Sequence, residues 1–412
     1  MDTWLDIVPE SDFSIHNQPY GIFSTASRRP RVGVAIGDQI IDLAAVAMRG
    51  YFQRSGVNPE VLEQSSLNDF ISLGKPVWKA VRKNLTDWLT QPDSPLQHLR
   101  KECFVPQSEA KMHLPLEIGD YTDFYASEAH ATNVGTMFRG KENALMSNWK
   151  HMPIAYHGRS SSIVVSGTDI HRPKGQIMPK GAEQPELGPT QALDFELEMA
   201  AVIGRDTTLG TSVRPNEADN HIFGLVLFND WSARDIQRWE YVPLGPFLGK
   251  NFASSISPWV VPLEALEPFR VAGPKQQPEP LPYLQSSGLR NYDIQLEVAL
   301  QPEGGEATVI SKTNFQNMYW SISQMLAHHT VNGCNLRVGD LLASGTISGN
   351  SSDSYGSLLE LSWNGERPIE LPNAVTRTFV EDRDTVILRG YAEKEGVRVG
   401  FGEVRTKILP SL

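Results

Sequence analysis

Residues 194–204 read DFELEMAAVIG, and residues 221–230 read HIFGLVLFND. Side chains alternate faces along a strand, so Glu196 and Glu198 point one way while Phe195, Leu197 and Met199 point the other. The unbroken apolar run 222–228 reads as a second strand, buried on both faces and followed closely by Asp230. The carboxyl end of a strand is a common address for chemistry. A third acidic island, Asp123, sits in YTDFY at 121–125, again among residues that should be buried. Two carboxylates two residues apart on a strand are separated by roughly 6.6 Å and repel by on the order of 2.5 kcal/mol at an effective dielectric of about 20, against about 0.6 kcal/mol in water. Burying them demands a cation. Oxygen donors without histidine or cysteine suit Ca2+ or Mg2+ better than zinc. Taken alone, an E-x-E strand reads as the solvated face of an antiparallel sheet, and Asp194, on the same face, would extend that wet row. Asp230, between a buried run and a helix, speaks against it.

The 412 residues are 40% hydrophobic and 21% charged, an ordinary globular composition with enough apolar material for two or three domains. The net charge is −11 and the basic residues are scattered, which argues against nucleic-acid binding. Cys103 and Cys334 are too few for a disulfide framework and suit a reducing compartment, where buried, inert thiols are expected. The start, MDTWLDIVPESD, lacks the basic and apolar segments of a signal peptide, and no stretch approaches the roughly 18 apolar residues of a membrane span. The expectation is a cytoplasmic protein without a membrane partner.

From 14 to about 46 the chain reads as short strands, with RVGVAIGDQIIDL a hairpin turning at Gly37 and Asp38, which suggests a small barrel. Two helical stretches follow, and in the second Trp78, Val81, Leu85 and Trp88 form one apolar stripe that belongs to a core. The polar, proline-containing stretch 91–106 closes this region, and PLEIGDY at 115–121 opens a second, mainly β domain. The expected division is 1–118 and 119–412, and the expected class is mainly β, of α+β type. Helices are expected after Ser127 and after Asp230, capped by Ser127 and Ser232. Segments 170–189 and 268–282, dense in turn formers, read as surface loops. Trp363-Asn364-Gly365-Glu366 and Glu393-Lys394-Glu395-Gly396 read as hairpin turns.

His130 falls near the start of the helix that follows Asp123 and is a candidate general base, since an imidazole can take a proton from water at neutral pH. Glu360, in the apolar run SLLELSW and read as lying on a buried strand, is its candidate orienting partner. In WSARDIQRWEY, Arg234, Gln237 and Tyr241 share a helix face, and Lys250 follows in LGPFLGK. A guanidinium, an amide, a phenol and an ammonium beside a metal can hold an anionic substrate and stabilise an oxyanion. Thr346, in LLASGTISG, is a donor where a ligand can approach the backbone closely. His157, His328 and His329 read as loop or packing residues. The chain contains no G-x-S-x-G, P-loop, G-x-G-x-x-G or H-E-x-x-H motif, which argues against serine hydrolase, nucleotide and zinc-protease chemistry.

The strings YTDFYASEAHATNVGTMFRGKENAL, DFELE, FNDWSARDIQ, LGPFLGK and ASGTISG, in this order, resemble the fumarylacetoacetase family along essentially the whole chain. The resemblance implies an N-terminal SH3-like barrel and a C-terminal fumarylacetoacetase-type mixed β-sheet or β-roll domain, in a homodimer. It implies Asp123, Glu196, Glu198 and Asp230 as ligands of Ca2+ or Mg2+, and a second cation site at Asp230, Lys250 and Ser254, where the family often carries threonine in place of Ser254. It further implies His130 with Glu360 as the base, Tyr125, Arg139, Gln237, Tyr241 and Thr346 as substrate contacts, and Arg234, Gln237 and Lys250 as the oxyanion-stabilising group. The implied reaction is hydrolysis of a carbon–carbon bond in 4-fumarylacetoacetate, a dicarboxylate diketone, to fumarate and acetoacetate, the last step of tyrosine and phenylalanine catabolism. The rival expectations are acylpyruvate hydrolysis, decarboxylation or isomerisation on the same scaffold, and a non-catalytic metal-binding β protein.

Overall fold

The computed structural model describes residues 3–412. The two strands that open the sequence reading lie side by side at its centre. Leu197–Ile203 and Ile222–Asp230 pair antiparallel with Leu197 opposite Asn229 and Glu198 opposite Phe228. The first also pairs antiparallel with Leu341–Ala343, which runs parallel to Tyr121–Phe124, which in turn pairs with Ala155–His157. On the other side Ile222–Asp230 pairs with Ser254–Ile256, and that strand runs parallel to Ile163–Val165. Eight strands make this mixed sheet, counting Val261–Pro262 beside Ile222–Asp230.

Both faces of the sheet are covered, which is why the run 222–228 carries no polar residue. Leu197, Met199, Ala201, Leu225 and Leu227 enter the larger core together with Val298, Leu300, Leu388, Val399 and Phe401. These last residues belong to a five-stranded sheet ordered Thr308–Asn314, Gln295–Gln301, Thr385–Lys394, Val397–Leu409 and Ile170–His171. Ala200, Val202, Phe223, Val226 and Phe228 point the other way and join Tyr20, Phe70, Trp78, Val81 and Leu85. Phe223 packs edge-on against Trp78 with ring centroids 4.9 Å apart, so the first hundred residues seal the back of the central sheet. Fully burying one such aromatic stabilises by roughly 1.5–3 kcal/mol.

The N-terminal strands Tyr20–Thr25, Arg28–Ile36 and Gln39–Asp42, with Phe104–Pro106 and Lys111–His113 at the two edges, form a five-stranded antiparallel sheet. Its central hairpin does turn at Gly37 and Asp38. The helix Lys75–Thr90 carries Trp78, Val81 and Leu85 on its buried face, with Leu89 completing it and Trp88 half-buried. Together these elements give a strand-rich mixed α/β fold.

Several local expectations are corrected. Residues 43–46 are helical, because Leu43–Met48 starts behind Asp42, whose carboxylate accepts from Ala45 N at 3.0 Å. The stretch 91–106, which closes the N-terminal region, folds into two single-turn helices and an edge strand. Segment 170–189 holds the hairpin Lys174–Ile177 and Glu186–Pro189, and 268–282 is a loop apart from a short strand at Arg270–Val271 and the 3-10 turns Glu267–Phe269 and Pro282–Leu284 that overlap its ends. The helix after Asp230 is Arg234–Glu240, with Ala233 rather than Ser232 at its N-cap and Tyr241 as its C-cap. Glu395 and Gly396 make the expected hairpin turn, both at positive φ, whereas residues 363–366 close the helix Leu358–Leu361. Cys103 is buried, with burial pushing its thiol up to about 11, while Cys334 is only half-buried. Among the described residues no helix is long and apolar enough to cross a membrane.

Candidate active site

Adjacent strands of the central sheet bring the acids together. Asp123 lies in register with Ala343, whose other neighbour is Ala200, and Glu198 sits two residues before Ala200 on the same strand. Asp230 ends the next strand, and its N–H donates to the Glu196 carbonyl at 3.2 Å. Asp123, Glu196, Glu198 and Asp230 each offer one carboxylate oxygen, and these oxygens lie within 4.8 Å of one another. All four side chains are buried, so the wet-row reading fails. Asp194 is buried as well and ion-pairs with Arg234 at 2.8 Å.

At 4.8 Å and an effective dielectric of about 20, each ionised pair repels by about 3.5 kcal/mol. Two cations offset part of this. Lys250 Nζ lies 2.5 Å from Glu196 Oε2 and 2.6 Å from Asp230 Oδ2, and Arg234 Nη1 donates to Glu196 Oε1 at 2.8 Å. Burial alone would raise the Glu196 carboxyl, but Lys250 and Arg234 hold it well below the usual carboxylate range. Glu198 and Asp123 have no such partner. Burial, then the charge of Asp123, pushes Glu198 far up, and burial, then Asp230, does the same to Asp123. Glu198 Oε1 accepts no hydrogen bond although it is buried. One divalent cation fits this donor set: it removes the excess negative charge and gives the orphaned oxygen a partner.

The backbone closes the cradle. Gly345 N donates to Asp123 Oδ1 at 3.1 Å and to Glu198 Oε2 at 3.0 Å. Gly345 has φ +75, and a Cβ there would lie 2.2 Å from the Phe124 carbonyl oxygen. Gly345→Ala is expected to cost about 1–3 kcal/mol from backbone strain alone and to weaken divalent-cation binding. Urea unfolding and a cation titration check this; an unchanged midpoint and affinity would contradict it.

His130 is the third residue of the helix Glu128–Arg139, capped by Ser127, whose hydroxyl accepts from His130 N at 3.3 Å. Gly135 lets this helix meet the Ala144 carbonyl, where a Cβ would come within 1.8 Å. His130 Nδ1 lies 2.7 Å from Glu360 Oε2. A carboxylate only accepts, so Nδ1 carries the proton, and Nε2 has no partner among the described residues. Glu360 sits on the short helix Leu358–Leu361, not on a strand, and accepts also from Asn133 Nδ2 at 2.9 Å, Ser348 Oγ at 2.9 Å and Ser357 Oγ at 2.8 Å. Burial would raise Glu360, but His130 and these donors outweigh it and hold the carboxyl low.

His130, Asp123 and Glu196 face one cavity of about 510 Å3, lined also by Tyr125, Arg139, Tyr156, Arg234, Gln237, Tyr241, Lys250 and Thr346. Thr346 is buried with a hydroxyl that has no partner. Arg139 and Tyr241 are exposed at the rim, where Arg139 also donates to the carbonyls of Asn143 and Ala144. Glu198, Asp230, Ser254 and Glu360 stand behind the wall, with Ser254 Oγ donating to Asp230 Oδ1 at 3.0 Å. Burial lowers the Lys250 ammonium, but Asp230 and Glu196 outweigh it and hold the amine protonated, so its side chain has no lone pair for a metal. The sequence reading missed Tyr156, whose hydroxyl donates to Asp230 Oδ2 at 2.6 Å, together with Asn133, Ser348 and Ser357. Asn133 was legible in principle, being three residues after His130 on one helix face; the others depend on strand register and loop path.

A cluster of buried carboxylates beside an imidazole–carboxylate pair, in a strand-rich mixed fold, defines the class as metal-assisted hydrolases. Comparison with known proteins gives the family. Residues 16–115 match the model "Fumarylacetoacetase N-terminal" and residues 120–409 the model "Fumarylacetoacetate (FAA) hydrolase C-terminal". The chain is 53% identical to the fumarylacetoacetases of Rattus norvegicus and Homo sapiens, over 100% of its length and 99% of theirs, and 54% identical to that of Arabidopsis thaliana at the same coverage. Among solved structures, the fold is similar to maleylpyruvate hydrolase from Sphingobium sp. SYK-6 in complex with manganese(II) and pyruvate (TM-score 0.52, 14% identity, 96% of this chain and 100% of that one). It is also similar to 5-carboxymethyl-2-hydroxymuconate delta-isomerase from Mycobacterium smegmatis (TM-score 0.50, 14% identity, 95% and 100%). The chain belongs to the fumarylacetoacetate hydrolase family and is a carbon–carbon bond hydrolase of the fumarylacetoacetase kind.

Proposed function

We propose that this enzyme cleaves 4-fumarylacetoacetate with water, giving fumarate and acetoacetate, through the residues gathered around the cavity. The observation that carries the reading is that a cluster of four buried carboxylates, reaching the cavity through Asp123 and Glu196, lies beside His130, which faces the same cavity with Glu360 behind it. Asp123, Glu196, Glu198 and Asp230 hold Ca2+ or Mg2+. The ion, when bound, supplies positive charge for the β-diketone oxygens and the enolate leaving group, which one oxyanion donor, at about 2.7–4 kcal/mol, and a general base, at about 10²–10⁴-fold, do not offset by themselves. His130 takes a proton from water through Nε2, Glu360 keeps the ring in that tautomer, and the hydroxide adds to the fumaryl-side carbonyl. The carbon–carbon bond breaks, its electron pair leaves on the acetoacetate carbon, and the proton taken up by His130 is returned to that carbon, which leaves the base as it began. Arg234, Gln237 and Lys250 stabilise the oxyanion. Tyr125, Arg139, Tyr241 and Thr346, with Gln237, hold the substrate, Arg139 pairing with a terminal carboxylate.

In the same reading a second cation would be held by Asp230, Lys250 and Ser254. The N-terminal sheet forms an SH3-like barrel, residues 1–118 and 119–412 are the two domains, and the enzyme is a cytoplasmic homodimer serving tyrosine and phenylalanine breakdown. The test is an assay of the purified enzyme that follows loss of the diketone absorbance and identifies both products. Release of carbon dioxide, or an isomer with the bond intact, would show that the scaffold runs a different metal-enolate reaction.

A further inference from the structure

Asp194 has no part in the roles above, yet it is fully buried beside them. Its two oxygens serve two different parts of the site. Oδ2 accepts from Arg234 Nε at 2.8 Å and from Leu359 N at 3.0 Å, and Oδ1 accepts from Leu358 N at 2.7 Å. Leu358 and Leu359 open the single-turn helix whose third residue is Glu360, the partner of His130. A helix this short has no stability of its own, and its first N–H groups have no acceptor within it. What accepts from them sets where the helix stands: Asp194 takes Leu358 and Leu359, and the Ser357 hydroxyl takes Glu360 N at 3.3 Å. Arg234 is otherwise tied to Glu196 and Gln237.

We propose that Asp194 is a positioning residue that fixes Arg234 relative to the His130–Glu360 pair, so that water activation and oxyanion stabilisation address the same carbonyl carbon. This rests on the residue roles given under the proposed function. The side chain has to be a carboxylate, because only a carboxylate accepts on both oxygens. An amide in its place turns its NH2 either to the Leu358 N–H or to the Leu359 N–H and the guanidinium together, donor against donor. A misplacement of about 1 Å between reacting groups can cost on the order of 10²-fold in rate.

The test uses the cation-loaded enzyme. Asp194→Asn is expected to lower kcat by about 10–100-fold, as for other residues that orient catalytic groups from behind, with a much smaller change in KM. In an Arg234→Lys or Glu360→Gln background the same substitution should cost several-fold less, since part of what it disturbs is already lost, whereas in a Tyr241→Phe background it should cost the full factor. Hydrogen exchange gives a readout independent of activity, and it stands if Asp194→Asn does not fold: Arg234→Lys should speed exchange of the amides in 355–363 by about tenfold. A kcat within twofold of wild type, a loss that multiplies fully in every background, or unchanged exchange in Arg234→Lys would each overturn the proposal. Wild-type turnover by Arg234→Lys and Glu360→Gln would instead remove the assigned reaction roles, and the exchange result would still decide whether Asp194 bridges the two elements.

Discussion

Exhaustive removal of divalent cations is expected to abolish turnover while leaving the fold in place. The fold survives because the ligands sit on inner strands, near their ends, of a sheet whose two faces are sealed by large apolar cores. Turnover does not, because Lys250 and Arg234 neutralise chiefly Glu196 and Asp230 and leave Asp123 and Glu198 facing each other. Without the ion, both carboxyls sit above their ordinary range and bind protons. Protons and the cation therefore compete, and cation affinity should rise with pH. The sign for stability follows from the same shifts. A carboxyl raised in the folded protein stabilises it below the ordinary carboxylate range, and that contribution is lost as pH rises through the raised value. The metal-free enzyme should thus lose thermal stability as the pH rises from acid, and added Ca2+ or Mg2+ should raise Tm most at the alkaline end. Full activity after chelation, verified by metal analysis, would refute the metal's role, and a Tm gain independent of pH would refute the electrostatic explanation of it.

The second large effect is expected for His130→Ala, a fall in kcat of about 10²–10⁴-fold with little change in KM. The protein should still fold, because Glu360 keeps Asn133, Ser348 and Ser357 as donors and is not left as an unpaired buried charge. Glu360→Gln should act in the same direction and less strongly, since the amide can still accept from Nδ1 but no longer stabilises an imidazolium. Steady-state kinetics separates the outcomes: a raised KM at unchanged kcat would make His130 a binding residue.

How much was legible follows from the physics of each element. The central strands were readable because a strand sealed on both faces must be apolar throughout, so acids within and beside it stood out at 196, 198 and 230. The helix stripe at Trp78, Val81 and Leu85 was readable for the same reason, as was the capped helix that presents His130. Position 194 misled, since alternation assigns a face but does not say whether that face is wet; Asp194 is buried because Arg234 and the amides of Leu358 and Leu359 converge on it. Glu360 was given the wrong element because SLLELSW is too short for periodicity to separate strand from helix. Proline and glycine in 170–189 mark turns, yet the strands between them pair as an exposed hairpin, which composition does not reveal. Tyr156 reaches Asp230 through strand register alone, and no local signal encodes that.

The most direct measurement is anomalous diffraction from crystals soaked in Mn2+ as a stand-in for the physiological ion, with a substrate analogue bound. The strongest peak is predicted within about 2.0–2.6 Å of oxygens from Asp123, Glu196, Glu198 and Asp230, the range for hard divalent ions, with the analogue's diketone oxygens on the same ion and His130 Nε2 facing its fumaryl-side carbonyl. No peak at those four carboxylates, or an analogue seated away from His130, would contradict the assignment.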